Sequence, residues 1–360
     1  MRKIAYYITA HGYGHGTRSF DIINALCAAE PDIAVVIKTD LPHRFIQSRT
    51  QGVNIEVVPG AFDVGLIQQD SIRIDLEASL RACEALYANE AALVEQEINF
   101  IHRENVGVVV ADIPAIPLAA AQRAGIPNIA VGNFGWDWIY ADFARHDPQW
   151  QIFADAFRTV YEQTDLLLRL PFSEPMAAFP HPIDLPLLSR PGTDRRATIA
   201  KKTGADPAKK WVLLSFTSLN LDAPALATVG QLDEYEFFSA EPLAWPGTGI
   251  HCIRRSTASF ADILASIDVV VTKPGFGIVS ESIANERPII YTERDHFREY
   301  EVLVESIETY CRNVFIPGRE LYAGDLSRAL KCVQETAPPP LDMPRGGAEL
   351  AAQQILRKLP

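Results

Sequence analysis

Short runs of consecutive apolar residues alternate along this chain with longer segments whose apolar positions recur every three to four residues. The runs at residues 4–8, 33–39, 54–58, 106–111, 128–131 and 166–170 predict strands. The segments 17–29, 76–104, 116–124 and 150–163 predict helices between them. Val106-Gly107-Val108-Val109-Val110 shows no polar alternation, the mark of a parallel strand covered on both faces. Helix and strand in regular alternation predict an α/β unit.

Residues 171–191 interrupt the alternation. Pro171, Pro175, Pro180, Pro182, Pro186 and Pro191 crowd this stretch, which reads as an extended connector between domains. The pattern then restarts. Strands are predicted at 211–216, 236–240, 250–253, 269–272, 289–291 and 314–316, and helices at 260–266, 278–284, 298–310 and 325–336. Pro338-Pro339-Pro340 precede a last helix at 347–359. The expectation is a first domain over residues 1–190, a second over 191–340, and a C-terminal helix within 341–360 that returns to the first. No repeat of solenoid period is present.

Composition changes the picture in three ways. A chain of 360 residues exceeds one ordinary core, in keeping with two domains. A net charge of −12 argues against bulk nucleic-acid binding by a basic face, while leaving room for a local anion site. The longest apolar stretch, 106–121, is broken by Asp112, Pro114 and Pro117 and cannot be a membrane span. With no signal peptide pattern and five scattered cysteines lacking any CxxC, a cytoplasmic protein with reduced thiols is expected. Oligomeric state has no signal.

Two tandem α/β sheets are expected to face a central cleft, with ligands at the carboxyl ends of the strands. The loops after strands therefore carry the candidate chemistry. After the first strand comes Thr9-Ala10-His11-Gly12-Tyr13-Gly14-His15-Gly16-Thr17-Arg18. Its glycines permit a tight turn and close ligand approach, and His11 and His15 can move a proton near neutral pH. It is no P-loop, since GxxxxGK[ST] is absent. After the strand at 269–272 comes Lys273-Pro274-Gly275-Phe276-Gly277, which opens a helix carrying Ser280 and Glu281. Helix-start amides suit a diphosphate, and Glu281 suits ribose hydroxyls; an ordinary turn with a surface glutamate fits the same letters. Thr217-Ser218-Leu219-Asn220 can meet the same phosphates or merely make a turn. The charged stretch from Thr292 to Tyr300, with Glu293, Arg294, Asp295, His296, Arg298 and Glu299, is either a solvated helix start or a set of sugar and phosphate ligands. Asn133-Phe134-Gly135-Trp136-Asp137-Trp138-Ile139-Tyr140 offers aromatics and polar groups for a sugar ring, or packed core aromatics. Asp112 either points to the ligand or caps the next helix. No zinc spacing, HExxH or GxSxG occurs.

Taken together, the chain resembles the GT-B glycosyltransferases. The resemblance is nearest to the glycosyltransferase-like amino-terminal region of plant and bacterial L-arabinokinases. It rests on His11-Gly12-Tyr13-Gly14-His15-Gly16-Thr17-Arg18, on the stretch from Asn133 to Tyr140, on Arg169-Leu170-Pro171-Phe172, and on the stretch from Lys273 to Glu281. More distantly, the chain is similar to peptidoglycan UDP-N-acetylglucosamine transferases. That likeness implies His15 at the end of the glycine-rich turn and a Gly-x-x-x-x-Ser-Glu loop from Gly275 to Ser280-Glu281. It also implies a donor-sugar stretch around Arg298-Glu299, and a diphosphate loop at Thr217-Ser218 that here lacks its glycines. The GHMP-type kinase loop of L-arabinokinases, Gly-Leu-Ser-Ser-Ser, is not present before Pro360, so phosphotransfer is not implied.

The resemblance implies two Rossmann-like parallel-sheet domains and transfer of a sugar from a nucleotide diphosphate, UDP most of all, to a hydroxyl acceptor. No metal and no cofactor beyond the nucleotide sugar is implied. The donor would lie on Gly275, Phe276, Gly277, Ser280, Glu281, Thr217, Ser218 and Glu299. His15, with His11, would be the base, and Gly14, Asp112, Asn133, Trp136 and Asp137 would meet the acceptor or the transferred sugar. A nucleotide-sugar epimerase or hydrolase, and a non-catalytic sugar-nucleotide-binding module, are the alternatives.

Overall fold

The computed structural model describes residues 3–50, 53, 55–67, 74–294 and 297–360. Asn54, at the start of one predicted strand, and Asp295 and His296 lie outside the described residues. The chain divides into two compact units. Unit 1 comprises residues up to Ile67, Asp75–Leu188 and Pro344–Pro360; unit 2 is built on Ser189–Met343.

Unit 1 runs β1 (Lys3–Ile8), α1 (Tyr13–Ala29), β2 (Ala34–Lys38), α2 (His43–Arg49), β3 (Ile55–Val58), α3 (Leu76–Tyr87), α4 (Glu90–Glu104), β4 (Val108–Asp112) and α5 (Ala115–Ala124). It continues through β5 (Asn128–Gly132), α6 (Trp136–Phe143), α7 (Gln151–Tyr161), β6 (Leu166–Arg169) and β7 (Pro182–Asp184). Its seven strands are all parallel, in the order β3-β2-β1-β4-β5-β6-β7. Unit 2 runs α8 (Arg196–Thr203), β8 (Lys210–Ser215), α9 (Ala223–Val229), β9 (Tyr235–Ala240), β10 (Ile250–Ile253), α10 (Phe260–Ser266), β11 (Val269–Thr272) and α11 (Phe276–Ala284). Then follow β12 (Ile289–Tyr291), α12 (Glu299–Tyr310), β13 (Asn313–Phe315), α13 (Gly318–Tyr322) and α14 (Ser327–Glu335). Its six strands are parallel in the order β10-β9-β8-β11-β12-β13. The last helix, α15 (Gly347–Lys358), belongs to unit 1 and packs along α1. Ala348, Ala351, Ala352 and Ile355 are its buried face, at helical spacing.

Both sheets are buried on both faces because their strands carry apolar side chains on both. In β8, Val212 and Leu214 join one core cluster and Trp211 and Leu213 another, as period-two side chains must. No helix among the described residues is long and apolar enough to cross a membrane. All five cysteines are free thiols.

The short helices α2, α6, α8, α9 and α13 were not expected, and three segments that were read from the sequence take another form. The helix predicted at 17–29 begins at Tyr13, so Gly14, His15 and Gly16 lie inside its first turn. Gly12, at φ 85°, makes the break that a side-chain-bearing residue resists, and the chain turns helical at once. The helix predicted at 76–104 is two helices, parted at Ala88 and Asn89. There the Asn89 side chain donates to the Ala85 carbonyl (3.1 Å) and competes with the helical ladder. The proline-rich stretch 171–191 contains an edge strand, β7, and stays in unit 1 through Leu188. Pro182 is tolerated because an edge strand has one side free of ladder bonds.

Candidate active site

Numbered within each sheet, both strand orders are 3-2-1-4-5-6, with one more edge strand in unit 1. Such sheets reverse direction beside their first strand, and ligands bind outside the carboxyl ends there. In unit 1 that point lies between β1 and β4; in unit 2 it lies between β8 and β11.

In unit 1 the register pairs Ile8 with Asp112, so the loop after β1 leaves the sheet beside the last residue of β4. Helix α1 then brings His15, Arg18 and Ser19 over Asp112, since residues three and four apart share a helix face. His15 Nδ1 lies 2.9 Å from Asp112 Oδ1. Arg18 donates Nε to Asp112 Oδ2 (2.7 Å) and Nη2 to Oδ1 (2.5 Å), and Ser19 Oγ donates to Oδ2 (2.8 Å). The Asp112 side chain is wholly buried. Burial alone would push its carboxyl up, but the charges and hydrogen bonds of Arg18 and His15 outweigh it. The carboxyl is held well below the usual carboxylate range.

Two other motif segments join the same network through Asn133. Arg18 Nη1 donates to Asn133 Oδ1 (2.6 Å), and Asn133 Nδ2 donates to the Phe172 carbonyl (3.3 Å). Glu174 N–H returns to the Asn133 carbonyl (3.0 Å). The stretches from His11, Asn133 and Arg169, more than a hundred residues apart at their extremes, thus form one network at the strand ends.

His11 lies beside it, its ring centroid 6.5 Å from that of His15 and edge-on to Trp136 at 5.8 Å. The Leu66 N–H donates to His11 Nδ1 (3.1 Å). Gly65 makes that approach possible: its φ is 65°, and a Cβ there would lie 2.2 Å from the ring. Asp63 anchors the same loop, accepting from Thr9 Oγ1 (2.6 Å) and Trp136 Nε1 (2.9 Å). Burial raises the Asp63 carboxyl against the lowering by Thr9, His15 and Trp136.

The structure reassigns several expected contacts. Asp112 neither caps α5, whose N-cap is Pro114, nor reaches the surface; it orients His15. Trp136 is wholly buried, stacked on Tyr140 at 5.4 Å and hydrogen-bonded to Asp63, so it packs the core. The aromatic period of α6 turns Trp136, Tyr140 and Phe143 inward together. Asn133 is buried and joins Arg18 to the loop after β6. Asp137 sits in the first turn of α6, where burial raises its carboxyl and backbone N–H groups lower it. Gly14 is half-buried in the first turn of α1. No task was expected of Arg18, though it ends the glycine-rich motif, nor of Ser19 or Asp63. Helical spacing from His15 could have found the first two once α1 is known to begin at Tyr13; nothing local points to Asp63.

In unit 2 the register pairs Ser215 with Thr272, so the loops after β8 and β11 are neighbours. Thr272 Oγ1 donates to the Ser215 carbonyl (2.9 Å). Thr217 and Ser218 are exposed on the first loop. Gly275 is the N-cap of α11, with Phe276 and Gly277 its first helical residues. First-turn N–H groups have no acceptor within a helix. A Cβ at Gly275 would meet only Ile278 Cγ2, at 4.0 Å, among the described residues, so the fold itself does not require glycine there. Ser280 and Glu281 are buried one turn on, and the Ser280 hydroxyl has no hydrogen-bond partner among the described residues. Glu299 is buried in the first turn of α12.

The charged stretch before α12 has separate local tasks. Both Glu293 carboxylate oxygens accept from the Gly318 N–H (2.8 and 2.9 Å), at the start of α13. Arg294 lies over the Phe297 ring at 3.7 Å, and burial lowers its guanidinium while Glu299 opposes that. Among the described residues no group of three His, Cys, Asp or Glu side chains is placed to hold a metal ion.

The position of Asp112 has a consequence for stability. Its carboxyl titrates lower in the folded chain than in the unfolded one, so it contributes stability above the unfolded value of about 3.9. That contribution is lost as pH falls below about 4. Unfolding free energies from urea titrations at pH 6, 4 and 3 are expected to decline less steeply in Asp112→Asn than in the parent. Equal slopes would mean that Asp112 is not the linked group.

Two doubly wound, all-parallel units of this kind define the GT-B fold of glycosyltransferases. The glycotransferase of kitacinnamycin matches with a TM-score of 0.60 at 15% identity, covering 99% of each chain. UGT89C1 of Arabidopsis thaliana, solved with UDP-L-rhamnose, matches with a TM-score of 0.61 at 14% identity, covering 99% of this chain and 98% of the other. UGT2 of Phytolacca americana, solved with UDP-2fluoro-glucose and pterostilbene, matches with a TM-score of 0.64 at 12% identity over 99% and 94% of the two chains. In sequence, the chain is similar to the L-arabinokinase of Arabidopsis thaliana, 32% identical over 331 residues. The match covers 89% of this chain but only 31% of that protein, so the chain spans under a third of its relative. No family model matches the sequence.

Proposed function

We propose that this chain is a glycosyltransferase that moves a sugar from a nucleotide diphosphate to a hydroxyl acceptor. The single observation that carries the proposal is the His15–Asp112 pair at the switch point of a GT-B unit. With Nδ1–H donated to Asp112, the ring keeps a lone pair on Nε2. Nε2 takes the proton of the acceptor hydroxyl as its oxygen bonds to the anomeric carbon. The bond from that carbon to the diphosphate breaks, and the diphosphate leaves with the electron pair. First-turn amides at Phe276 and Gly277, with the positive end of the α11 dipole, stabilise its charge without a metal. Glu281 takes the ribose hydroxyls, and Ser280, Thr217, Ser218 and Glu299 complete the donor site. Unit 1 holds the acceptor and unit 2 the nucleotide. Uridine is favoured because similar structures hold UDP-sugars.

The kinase activity in the name of the L-arabinokinase is not carried over, because this chain matches only 31% of that protein.

A thermal-shift screen with UDP-, GDP- and dTDP-sugars tests the donor site. A ligand at about 100 times its Kd stabilises by about 2.7 kcal/mol, a rise of several degrees. UDP-sugars are expected to give it; no shift with any nucleotide would remove the assignment. Release of free sugar or of an epimer without acceptor would instead mark a hydrolase or an epimerase. Binding with no turnover across a broad acceptor screen would mark a binding module.

A further inference from the structure

Four donors surround the Asp112 carboxylate. Arg18 Nε (2.7 Å) and Ser19 Oγ (2.8 Å) reach Oδ2, and Arg18 Nη2 (2.5 Å) and His15 Nδ1 (2.9 Å) reach Oδ1. An ionised carboxylate has about four lone-pair positions, and one with no solvent is best satisfied by a donor at each. Three are filled by groups that can only donate here. The fourth is filled only when the His15 proton is on Nδ1. The same Arg18 Nη2 lies 2.9 Å from that nitrogen and can only donate, so it competes with Asp112 Oδ1 to set the state of Nδ1; its shorter bond to Oδ1 commits it to the carboxylate and leaves Nδ1 to donate.

We infer that Arg18 is a positioning residue: its fork fixes Asp112 so that the ring proton stays on Nδ1. The inference rests on the reading of His15 as the base. Other charged or titratable groups facing the ring are Asp63, from the loop after β3, and His11, from the loop after β1.

The test reads the ring itself, in the full chain labelled with 15N-histidine. His15 signals are assigned by their loss in His15→Gln. The parent is expected to show the proton on Nδ1 when the ring is neutral. Arg18→Met, which frees Asp112, is expected to spread the proton over both ring nitrogens. Arg18→Gln and Arg18→Lys, which lack the two-pronged contact, are expected to do so in part. Ser19→Ala, which leaves that contact in place, is expected to keep the parent tautomer. A ring proton on Nε2 in the parent overturns the inference. So does an unchanged tautomer in both Arg18→Met and Arg18→Gln. The parent tautomer alone decides if neither Arg18 variant folds. No donor or acceptor enters the experiment, so a chain without transferase activity would still show these tautomers.

Discussion

His15→Ala is expected to lower turnover by about 10²–10⁴-fold, the usual worth of a positioned general base. The UDP-sugar thermal shift of the same variant is expected to match that of the parent, because the proposed donor groups follow β8 and β11 or lie on α11 and α12, in another unit. This separation is the informative part of the result. A protein that loses turnover and nucleotide binding together would place His15 at the nucleotide and reverse the assignment of the units. Full turnover in His15→Ala would remove the base. Asp112→Asn is expected to fall in the same direction, because an amide cannot accept on all four sides and leaves the ring tautomer unspecified. Initial rates with UDP-sugar, measured beside the thermal shift, check both.

Lys38→Met is expected to cost about 3–5 kcal/mol of unfolding free energy, the loss seen when one member of a buried ion pair is removed. Lys38 ends β2, and its Nζ lies 2.6 Å from both oxygens of Glu97 on α4. Tyr7 donates its hydroxyl to Glu97 Oε2 (2.6 Å), and the Phe100 and Phe62 rings lie 4.2 and 5.3 Å from Nζ. Lys38 and Glu97 are 6% and 5% exposed, so water cannot replace the lost partner. Burial raises the Tyr7 phenol, and the Glu97 charge adds to it, so Tyr7 serves only as a donor. Replacing the whole group, as Tyr7→Phe/Lys38→Met/Glu97→Leu, leaves no stranded charge and is expected to lose less than Lys38→Met alone. Urea titrations of the two variants decide this. A Lys38→Met protein within about 1 kcal/mol of the parent would show that the pair is solvated.

Much of the architecture was legible in the apolar pattern. Strands 250–253, 269–272 and 289–291 and helix 260–266 agree with β10, β11, β12 and α10. A wholly apolar strand between turns has few other ways to be satisfied. The departures have local causes. Residues 171–191 read as a connector because prolines are normally absent from strands, whereas β7 is an edge strand. The break between α3 and α4 depends on one asparagine side chain folding back on its own helix.

For the site, local spacing brought out the turns but not what each side chain meets. A glycine-rich turn after a first strand marks a ligand position whatever else the chain does, so His15 and Gly275 stood out from their neighbours in sequence alone. Trp136, Asn133 and Asp112 were equally visible, and each was expected at the sugar. Whether an aromatic, an amide or a carboxylate at a strand end meets a ligand or braces a neighbour depends on what lies opposite. For Asp112 that is Arg18, 94 residues away, placed there because β1 and β4 are adjacent. Hydrophobic periodicity is a local property, and it suffices to bring out most strands and the longer helices. Strand adjacency is set by long-range burial, and the His15–Asp112–Arg18 cluster exists only once the sheet has closed.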